Sequence, residues 1–429
     1  MTFIAWVAVA VFAGVYILVA TERIHRVAAA LGGAAIVLGL GIVSSEEAFY
    51  SAETGIDWDV IFLLLGMMLV VGVIRRTGVF EYMAIRSAKL AKGRPYRVMV
   101  LLVIVTAVAS ALLDNVTTVL LVAPVTLLLC DRLGLKPVPF LLAEVLASNI
   151  GGAATLVGDP PNIIIASRAG LTFNDFLVHM APIIVLILVV YLVLIRLLFR
   201  HALESDPTRA AALMSLDEKE AITDRGLLIR SGIVLGAILL GFLLQQQTGV
   251  APSVVALVGA GIMLLLSPLK PRDLLADVEW ETLLFFMGLF ILVGALVHVG
   301  ALELLAEWIA GVTNGAVAPT MMVVLVGSAI VSAVVDNIPY VTAMTPVVES
   351  LIASNPALGN DGGLWWALAL GADLGGNATL VGASANVVIV GIAARNGLHI
   401  SFVTWLKYGI PTAAMSIAIS IPYVLLRYT

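Results

Sequence analysis

The chain has 429 residues, 61% of them hydrophobic and only 12% charged, and its mean hydropathy is +1.10. These values exclude an ordinary soluble domain, and the recurring apolar runs of about 18 residues or more predict an all-α polytopic membrane protein. The net charge of −5 excludes little, because the position of each charge relative to a membrane matters more than the sum. Cys130 is the single cysteine, so the sequence offers neither a disulfide nor a thiolate metal site.

The apolar runs predict membrane spans in two sets, separated by one charged stretch. The spans are 2–20, 25–43, 59–76, 138–168 and 177–199 in the first half, and 229–246, 250–268, 280–298, 364–394 and 407–427 in the second. The first run has no basic region before it and no small-residue cleavage site after it, which favours a retained span over a signal peptide. Residues 201–228 are charged and weakly hydrophobic, and they are predicted to be a cytoplasmic linker.

Three ordered blocks of the first half return in the second. The block 56–59 (Ile-Asp-Trp-Asp) matches 278–281 (Val-Glu-Trp-Glu), and the Asp-Asn pair at 114–115 matches the pair at 336–337, each 222 residues later. The stretch Gly-Gly-x-Ala-Thr-Leu-Val-Gly begins at Gly151 and again at Gly375, 224 residues later. Such agreement indicates an internal duplication. Because each half has an odd number of crossings, we expect two inverted repeats.

Two further apolar stretches, 98–130 and 320–352, hold the Asp-Asn pairs near their middles. Re-entrant helical hairpins and pairs of complete spans both fit these stretches. We favour re-entrant hairpins, because Asp and Asn suit the N-cap of a returning helix. The glycine-rich stretches predict broken helices near the midplane, where irregular backbone is tolerated only inside protein or beside a water-filled cavity.

These elements define the predicted domains. The first repeat is 1–200, with spans in 1–95, the hairpin and broken helix in 96–168, and a last span at 177–199; the linker is 201–228; the second repeat is 229–429, with spans in 229–300, the hairpin and broken helix in 316–395, and a last span at 405–427. Hairpins and broken helices from both repeats are expected to build one site.

Lysine and arginine positions predict the orientation. With both termini outside, nearly all basic residues fall inside, and only Arg168 and Arg427 fall outside. The basic residues inside are Arg23, Arg26, Arg75, Arg76, the run 86–97, Arg132, Lys136, Arg196, Arg200, those of the linker, Lys270, Arg272, Arg395 and Lys407. The acidic loop 46–59 has no basic residue and falls outside. The predicted location is the cytoplasmic (inner) membrane.

Carboxylates at membrane depth are costly, and such residues are functional candidates by default. Burial can also move a carboxyl group into the range where it exchanges protons near neutral pH. The candidates for proton coupling are Asp114, Asp336, Asp373 and Glu144. Capping of the returning helices is an alternative role for the two hairpin aspartates.

Uncharged polar residues of the same segments could hold a hydroxylated solute or a cation, with helix capping as the alternative. The candidates for substrate binding are Asn115, Asn337, Asn149, Thr117, Gly151, Gly152, Thr155, Asn162, Gly375, Gly376, Asn377, Thr379 and Asn386. The two copies are not identical. Asn377 replaces Ala153, and Asp159 is matched by Ala383, so that this acidic residue belongs to one half only.

The motifs resemble those of the ion transporter superfamily, and most closely its ArsB/P-protein/NhaD branch. They are Leu113-Asp114-Asn115-Val116-Thr117-Thr118, Asn149-Ile150-Gly151-Gly152, Gly158-Asp159-Pro160-Pro161-Asn162, Asp336-Asn337-Ile338-Pro339 and Trp365-Trp366, and the resemblance covers nearly the whole chain. It implies a scaffold domain from the first spans of each repeat. It also implies a transport domain of hairpins and broken helices that moves like an elevator.

The predicted function is a secondary antiporter, not an enzyme, that exports neutral arsenite or antimonite hydroxide in exchange for protons. No Gly-x-x-x-x-Gly-Lys-Ser/Thr sequence is present, so the energy must come from a proton gradient or from a partner such as an arsenite-stimulated ATPase subunit. Alternatives are a sodium–proton antiporter and an anion conductance. A dicarboxylate is disfavoured because two hairpin aspartates would repel it. We expect no cofactor, metal or nucleic acid, and either a monomer or a homodimer in the lipid bilayer.

Overall fold

A computed structural model describes residues 2–21, 23–92, 94–200 and 218–429, and within these ranges the secondary structure is helical. The first half contains α1 (Phe3–Ala20), α2 (Arg26–Gly39), α3 (Ser45–Tyr50), α4 (Trp58–Arg75), α5 (Val79–Leu90), α6 (Pro95–Leu112), α7 (Asn115–Leu133), α8 (Pro137–Gly152), α9 (Pro160–Ala169), α10 (Phe173–His179) and α11 (Ala181–Leu198). The larger part of the predicted linker, 201–217, lies outside the described residues.

The second half follows the same succession. It contains α12 (Arg225–Leu243), α13 (Pro252–Leu266), α14 (Trp280–His298), α15 (Ala301–Thr313), α16 (Val317–Ser332), α17 (Asn337–Ser354), α18 (Gly363–Gly375), α19 (Ser384–Arg395) and α20 (Phe402–Tyr428). Short helical turns lie at Glu218–Ala221, Gln245–Thr248, Pro271–Leu275 and Pro356–Gly362. Helices at matching repeat positions begin at matching residues, as Trp58 and Trp280 do for α4 and α14.

Eight of the described helices are long and apolar enough to cross a membrane, so the chain is a multi-pass membrane protein. The helices α4 and α14 are mostly buried, whereas α1, α11 and α12 expose most of their apolar residues and can face lipid. Both arms of the first hairpin, α6 and α7, belong to the eight. Their length permits a complete crossing, so the re-entrant arrangement stays a prediction.

The predicted helix breaks are present in both halves. The span predicted at 138–168 is divided into α8 and α9 by residues 153–159, and the span predicted at 364–394 is divided into α18 and α19 by residues 376–383. Proline helps to define the restart in the first half, because Pro160 occupies the first helical position, where no backbone donor is needed.

Two helices of intermediate length were not predicted. These helices, α5 and α15, have 12 and 13 residues, and each follows a glycine in the left-handed conformation, Gly78 or Gly300. They carry polar residues along the helix and are shorter than a membrane span, so their sequences do not form the long apolar runs that predict spans.

The helices assemble into two bundles that share an interface. In the first bundle, the early helices of each half pack against each other, with α4 on α13 and α2 on α14. In the second bundle, each hairpin packs on the broken helix of its own half, with α6 on α8 and α16 on α18. The restarted helices then cross between halves, since α9 packs on α17 and α18 while α19 packs on α7 and α8. This crossing places the polar residues of both halves at one centre.

Candidate functional site

Each hairpin turns at an aspartate that caps the second arm. The carboxylate of Asp114 accepts a hydrogen bond from the backbone N–H of Thr117 at 2.7 Å, and that of Asp336 accepts one from Ile338 at 3.0 Å. Both aspartates are half-buried. Capping therefore accounts for one oxygen of each carboxylate, as an N-cap residue should, and leaves the other oxygen for a second partner.

Each hairpin tip is joined to the helix break of its own half by backbone contacts. The amide of Asn115 donates to the Gly158 carbonyl at 3.1 Å, and the amide of Asn337 donates to the Gly382 carbonyl at 3.2 Å. The break is closed tightly, because a Cβ added to Gly152 would lie 2.6 Å from the Gly158 carbonyl oxygen. Glycine is required there by close backbone approach, and the same holds at Gly376 against Gly382.

Two of the three predicted threonines and two of the predicted asparagines hold the breaks in shape. The hydroxyl of Thr155 donates to the Ala111 carbonyl at 2.5 Å, and the hydroxyl of Thr379 donates to the Ala333 carbonyl. The side-chain amide of Asn162 donates to the Thr155 carbonyl at 3.0 Å, and that of Asn386 donates to the Thr379 carbonyl at 2.9 Å. Their donors are thus engaged by backbone carbonyls.

A buried asparagine network connects the two halves. Asn149 donates to the side-chain oxygens of Asn377 and Asn386, both at 2.9 Å, and it accepts a hydrogen bond from Asn115 at 3.2 Å. All four side chains are buried. The predicted residues of α7, α8, the second break and α19 therefore do meet in one place.

Asp159 lies at the centre of the same network. One of its carboxylate oxygens accepts from Asn115 at 2.9 Å, and the other accepts from Asn337 of the opposite half at 3.5 Å. The side chain is 1% exposed. The sequence had marked Asp159 only as a difference between the repeats and had not counted it among the site residues. Its signal was available, because an aspartate beside a helix break in an apolar segment is costly without a role.

Acceptors outnumber donors around this centre. Among the described residues, both carboxylate oxygens of Asp373 lack a hydrogen-bond partner at normal distance, because the nearby Asn162 amide donates to the Thr155 carbonyl. The side-chain oxygens of Asn115 and Asn162 also lack a partner. Asp373 is fully buried, and of the acidic groups that act electrostatically on Asp159 it has the largest effect. Buried acceptors without donors are unstable unless a proton or a cation joins them.

Glu144, a predicted proton-coupling residue, lies apart from this network. It is buried, and one carboxylate oxygen accepts from the hydroxyl of Thr126 at 2.7 Å. Its other oxygen has no partner among the described residues. No hydrogen bond described for these parts of the chain connects Glu144 with the asparagine network, so its role in proton coupling stays a separate prediction.

The second hairpin tip has partners that were not among the predicted site residues. Ser384 donates to the free oxygen of Asp336 at 2.6 Å, and Arg26 donates to Ser384 at 3.0 Å. Arg26 also donates to Thr282 at 3.3 Å, and Thr282 donates to Glu279 at 3.1 Å. Arg26 appeared in the sequence only as one of many basic residues on the predicted inner side.

Two cavities lie between the bundles, at matching repeat positions. The Arg26 cavity, of about 320 Å³, is lined by His25, Arg26, Glu281, Asp336 and Ser384. The Asp59 cavity, of about 480 Å³, is lined by Asp59, Ser167, Thr172, Gln245 and Ser253. Asp59 and Glu281 are counterparts in the duplication, 222 residues apart. Only the Arg26 cavity is lined by a hairpin aspartate.

A polytopic helical fold with a polar centre built from helix breaks is typical of membrane transporters. Residues 16–371 match the citrate transporter (CitMHS) family, which is most of the chain. The chain belongs to this family, and it is a transporter, not an enzyme.

Named relatives agree with that class. A 46 kDa membrane protein of Mycobacterium leprae is 55% identical over 98% of both chains, and an uncharacterized transporter of Mycobacterium tuberculosis is 54% identical over 98% of both. The mouse P protein is 34% identical over 98% of this chain and 60% of its own length. In fold, the YdaH transporter of Alcanivorax borkumensis superposes with a TM-score of 0.59 at 13% identity, over 85% of this chain and 83% of that one.

These comparisons confirm one part of the resemblance that the sequence shows and do not test another. The kinship with the P protein is confirmed, and the family is the citrate transporter family. A kinship with arsenite permeases in particular stays a prediction, together with arsenite as the cargo.

Proposed function

We propose that the chain is a secondary antiporter that exchanges protons for a small monovalent cation, with sodium as the first cation to test. The observation that carries this proposal is the buried Asp159–Asp373 pair, together with the unpartnered oxygens around it. Oxygen ligands from carboxylates and amides suit hard cations, and the same carboxylates can take protons instead.

The coupling follows from electrostatics. Two carboxylates buried within reach of each other's field cannot both stay charged and bare, because burial penalises each charge and the like charges repel. A proton or a cation relieves this penalty, but a carboxylate that has bound a proton attracts a cation only weakly. Cation and proton therefore compete for one site, and competition at a site with alternating access produces exchange.

The remaining features of the sequence resemblance are part of the proposal. We take the first bundle as the scaffold and the second bundle as the transport domain of an elevator, with the second repeat inverted relative to the first. The distribution of basic residues supports the Arg26 side as the cytoplasmic side. The two cavities at matching repeat positions support alternating access from opposite sides.

Two other cargoes are ranked below sodium. Arsenite hydroxide, the cargo predicted from the sequence, needs free donors and acceptors, but the hydroxyls of Thr155 and Thr379 and the amides of Asn162 and Asn386 are engaged by backbone carbonyls. The family name suggests citrate as a cargo. Citrate carries three carboxylates, which the carboxylates of Asp159 and Asp373 at the centre would repel. Both cargoes belong in the test as competitors.

The test uses the purified full chain in liposomes with an imposed pH gradient and a pH-sensitive dye inside. We expect sodium to collapse the gradient, and arsenite or citrate not to. Asp373→Asn should abolish the sodium response, because the amide cannot carry a proton at neutral pH. Asp131→Asn is the matched control, because Asp131 is exposed near the end of α7. A gradient that arsenite or citrate collapses, and sodium does not, would overturn the choice of cation.

A further inference from the structure

The Arg26 side chain connects the first bundle with the second hairpin tip through Ser384. Its guanidinium donates to Ser384 at 3.0 Å, and Ser384 donates to Asp336 at 2.6 Å. The guanidinium is held from the other side by Thr282 at 3.3 Å and by the ring of Phe285, 5.7 Å away. Thr282 and Phe285 belong to α14, so Arg26 is fixed to the first bundle, and its charge acts on Asp336 across the interface.

Among the described residues, the Arg26–Ser384–Asp336 arrangement has no counterpart in the other half. Arg26 begins the second helix of the first half, and Pro252 begins the second helix of the second half. The segment 244–253 around Pro252 contains no lysine or arginine. In the Asp59 cavity the hydroxyl of Ser253 donates to the Asp59 carboxylate instead. Arg26 thus lines one of the two cavities, whereas no lysine or arginine is among the residues that line the other. Arg168, next to Ser167, donates to the backbone carbonyls of Ala52 and Glu53.

We infer that Arg26 is a tethered cation that competes with the transported cation for the charge of Asp336 on the Arg26 side alone. The inference rests on the proposed cation exchange. When the transport domain lies on this side, the Arg26–Ser384 contact supplies positive charge to the hairpin tip. The stabilisation that a bound cation would otherwise gain there is reduced, and cation affinity falls on that side. On the opposite side the competitor is absent.

The consequence is directional. Low affinity on the Arg26 side favours cation release there at the same time as proton uptake by the Asp159 and Asp373 carboxylates. Arg26 acts electrostatically on Asp336 and on Glu279, whereas the charges that act on Asp159 are those of Asp373, Asp336 and Asp114. Arg26 is thus a positioning residue that sets the affinity difference between the two sides. It acts through Ser384 and Asp336 and has no direct contact with the Asp159–Asp373 pair in the hydrogen bonds described.

The experiment measures half-maximal sodium for proton exchange separately in right-side-out and inside-out vesicles. In Arg26→Gln, we expect half-maximal sodium on the Arg26 side to fall by about 5- to 10-fold, the range of a modest coupling between two sites, with a lower maximal rate. On the opposite side it should not change. Arg26→Lys should restore only part of the wild-type value, because the positive charge is retained while the forked contact with Ser384 and Thr282 is not.

Ser384→Ala provides a second route to the same connection. It should reproduce the side-specific gain in affinity, and the double variant with Arg26→Gln should add little, since both changes break one relay. Arg23→Gln is the matched control, because Arg23 is exposed in the same loop, three residues earlier. Equal shifts on both sides, or no shift in Arg26→Gln, would overturn the inference while sodium exchange stands. No sodium exchange in the wild-type chain would instead overturn the proposed function beneath it.

Discussion

The two hairpin tips have the same local sequence and different electrostatic surroundings. Asp114-Asn115 and Asp336-Asn337 each cap a returning helix, and each Asn backbone amide binds the break of its own half. Beyond that, the Asp336 carboxylate is linked through Ser384 to a guanidinium, whereas Asp114 lies near the carboxylate of Glu279. Duplication preserved the backbone, and divergence of the neighbours gave one tip a cation and the other an acid.

The same contrast holds at the helix breaks. Asp159 follows the first break, and its counterpart in the second half is Ala383. The single carboxylate serves both halves, because it accepts from Asn115 of one and Asn337 of the other. The duplicated scaffold therefore holds one central carboxylate that contacts both halves.

The largest effect is expected when that asymmetry is removed. Asp159→Asn leaves the volume unchanged, but it replaces one acceptor oxygen with an NH₂ group that must face the donor of Asn115 or Asn337. The central charge is lost at the same time. We expect proton-coupled exchange to fall to the level of liposomes without protein, measured with the internal pH dye.

Folding has to be separated from function in this variant. Size-exclusion profiles in detergent should match those of the wild type, and Asp131→Asn should retain exchange. If Asp159→Asn folds and still exchanges protons, the coupling does not need the Asp159 carboxylate, and the proposed Asp159–Asp373 pair is wrong.

The next largest effect is a difference in thermal stability between variants of the two hairpin tips. Asp114→Asn retains the cap, because Asn caps helices as well as Asp, and it removes the repulsion with Glu279. Asp336→Asn retains the cap as well, but it loses the attraction of Arg26. At alkaline pH, we expect the melting temperature to rise in the first variant and to fall in the second, by about 1–2 °C each. Shifts of the same sign in both would show that the tips are electrostatically equivalent.

Much of the fold could be predicted because a membrane makes long apolar runs obligatory. The helix breaks were visible for the same reason, since glycine and aspartate are conspicuous in apolar sequence. The helices α5 and α15 were missed, although Gly78 and Gly300 start them at matching positions, because they are too short and too polar to be spans.

The sequence predicts which residues belong to the site, but not how they pair. Asn115, Asn149, Asn377 and Asn386 were named and do meet. Their pairing was not predictable, because it depends on which restarted helix crosses to which hairpin. The link from Arg26 to Ser384 joins residues 358 positions apart, and in sequence Arg26 is indistinguishable from any other arginine near the end of a span.

The next prediction compares the two glycines that precede α5 and α15. Gly78 and Gly300 have φ values of +77° and +70°, so alanine at either position costs about 1–2 kcal/mol of backbone strain. At Gly78 a Cβ would also overlap the Ala221 carbonyl oxygen of the linker, whereas at Gly300 it would meet only the flexible end of Glu303. We expect Gly78→Ala to release the linker and Gly300→Ala not to. Faster trypsin cleavage after Lys219, located by mass spectrometry, is the measurement.

The smallest effect concerns the linker charge that binds α5. Glu218 pairs with Lys89 at 2.5 Å and with Arg86 at 2.9 Å, on a helix whose counterpart α15 has Gly311 and Trp308 at those positions. The hydrogen bond from Lys89, with the Arg86 contact beside it, lowers the pKa of the Glu218 carboxyl to about 2 from its usual 4.5.

Because that pKa is lowered on folding, the stabilising contribution of Glu218 is complete above pH 4.5 and is lost as the pH falls towards 2. Pepsin, which works in this range, can report it. The measured quantity is the rate of linker cleavage in the wild type divided by the rate in Glu218→Gln. This ratio should be lowest near pH 4.5 and should rise towards one as the pH approaches 2. Glu220→Gln, an exposed neighbour in the same helical turn, should follow the wild type. A ratio independent of pH would mean that the contacts of Ala221 and Thr223 with the chain around Gly78 hold the linker without help from Glu218.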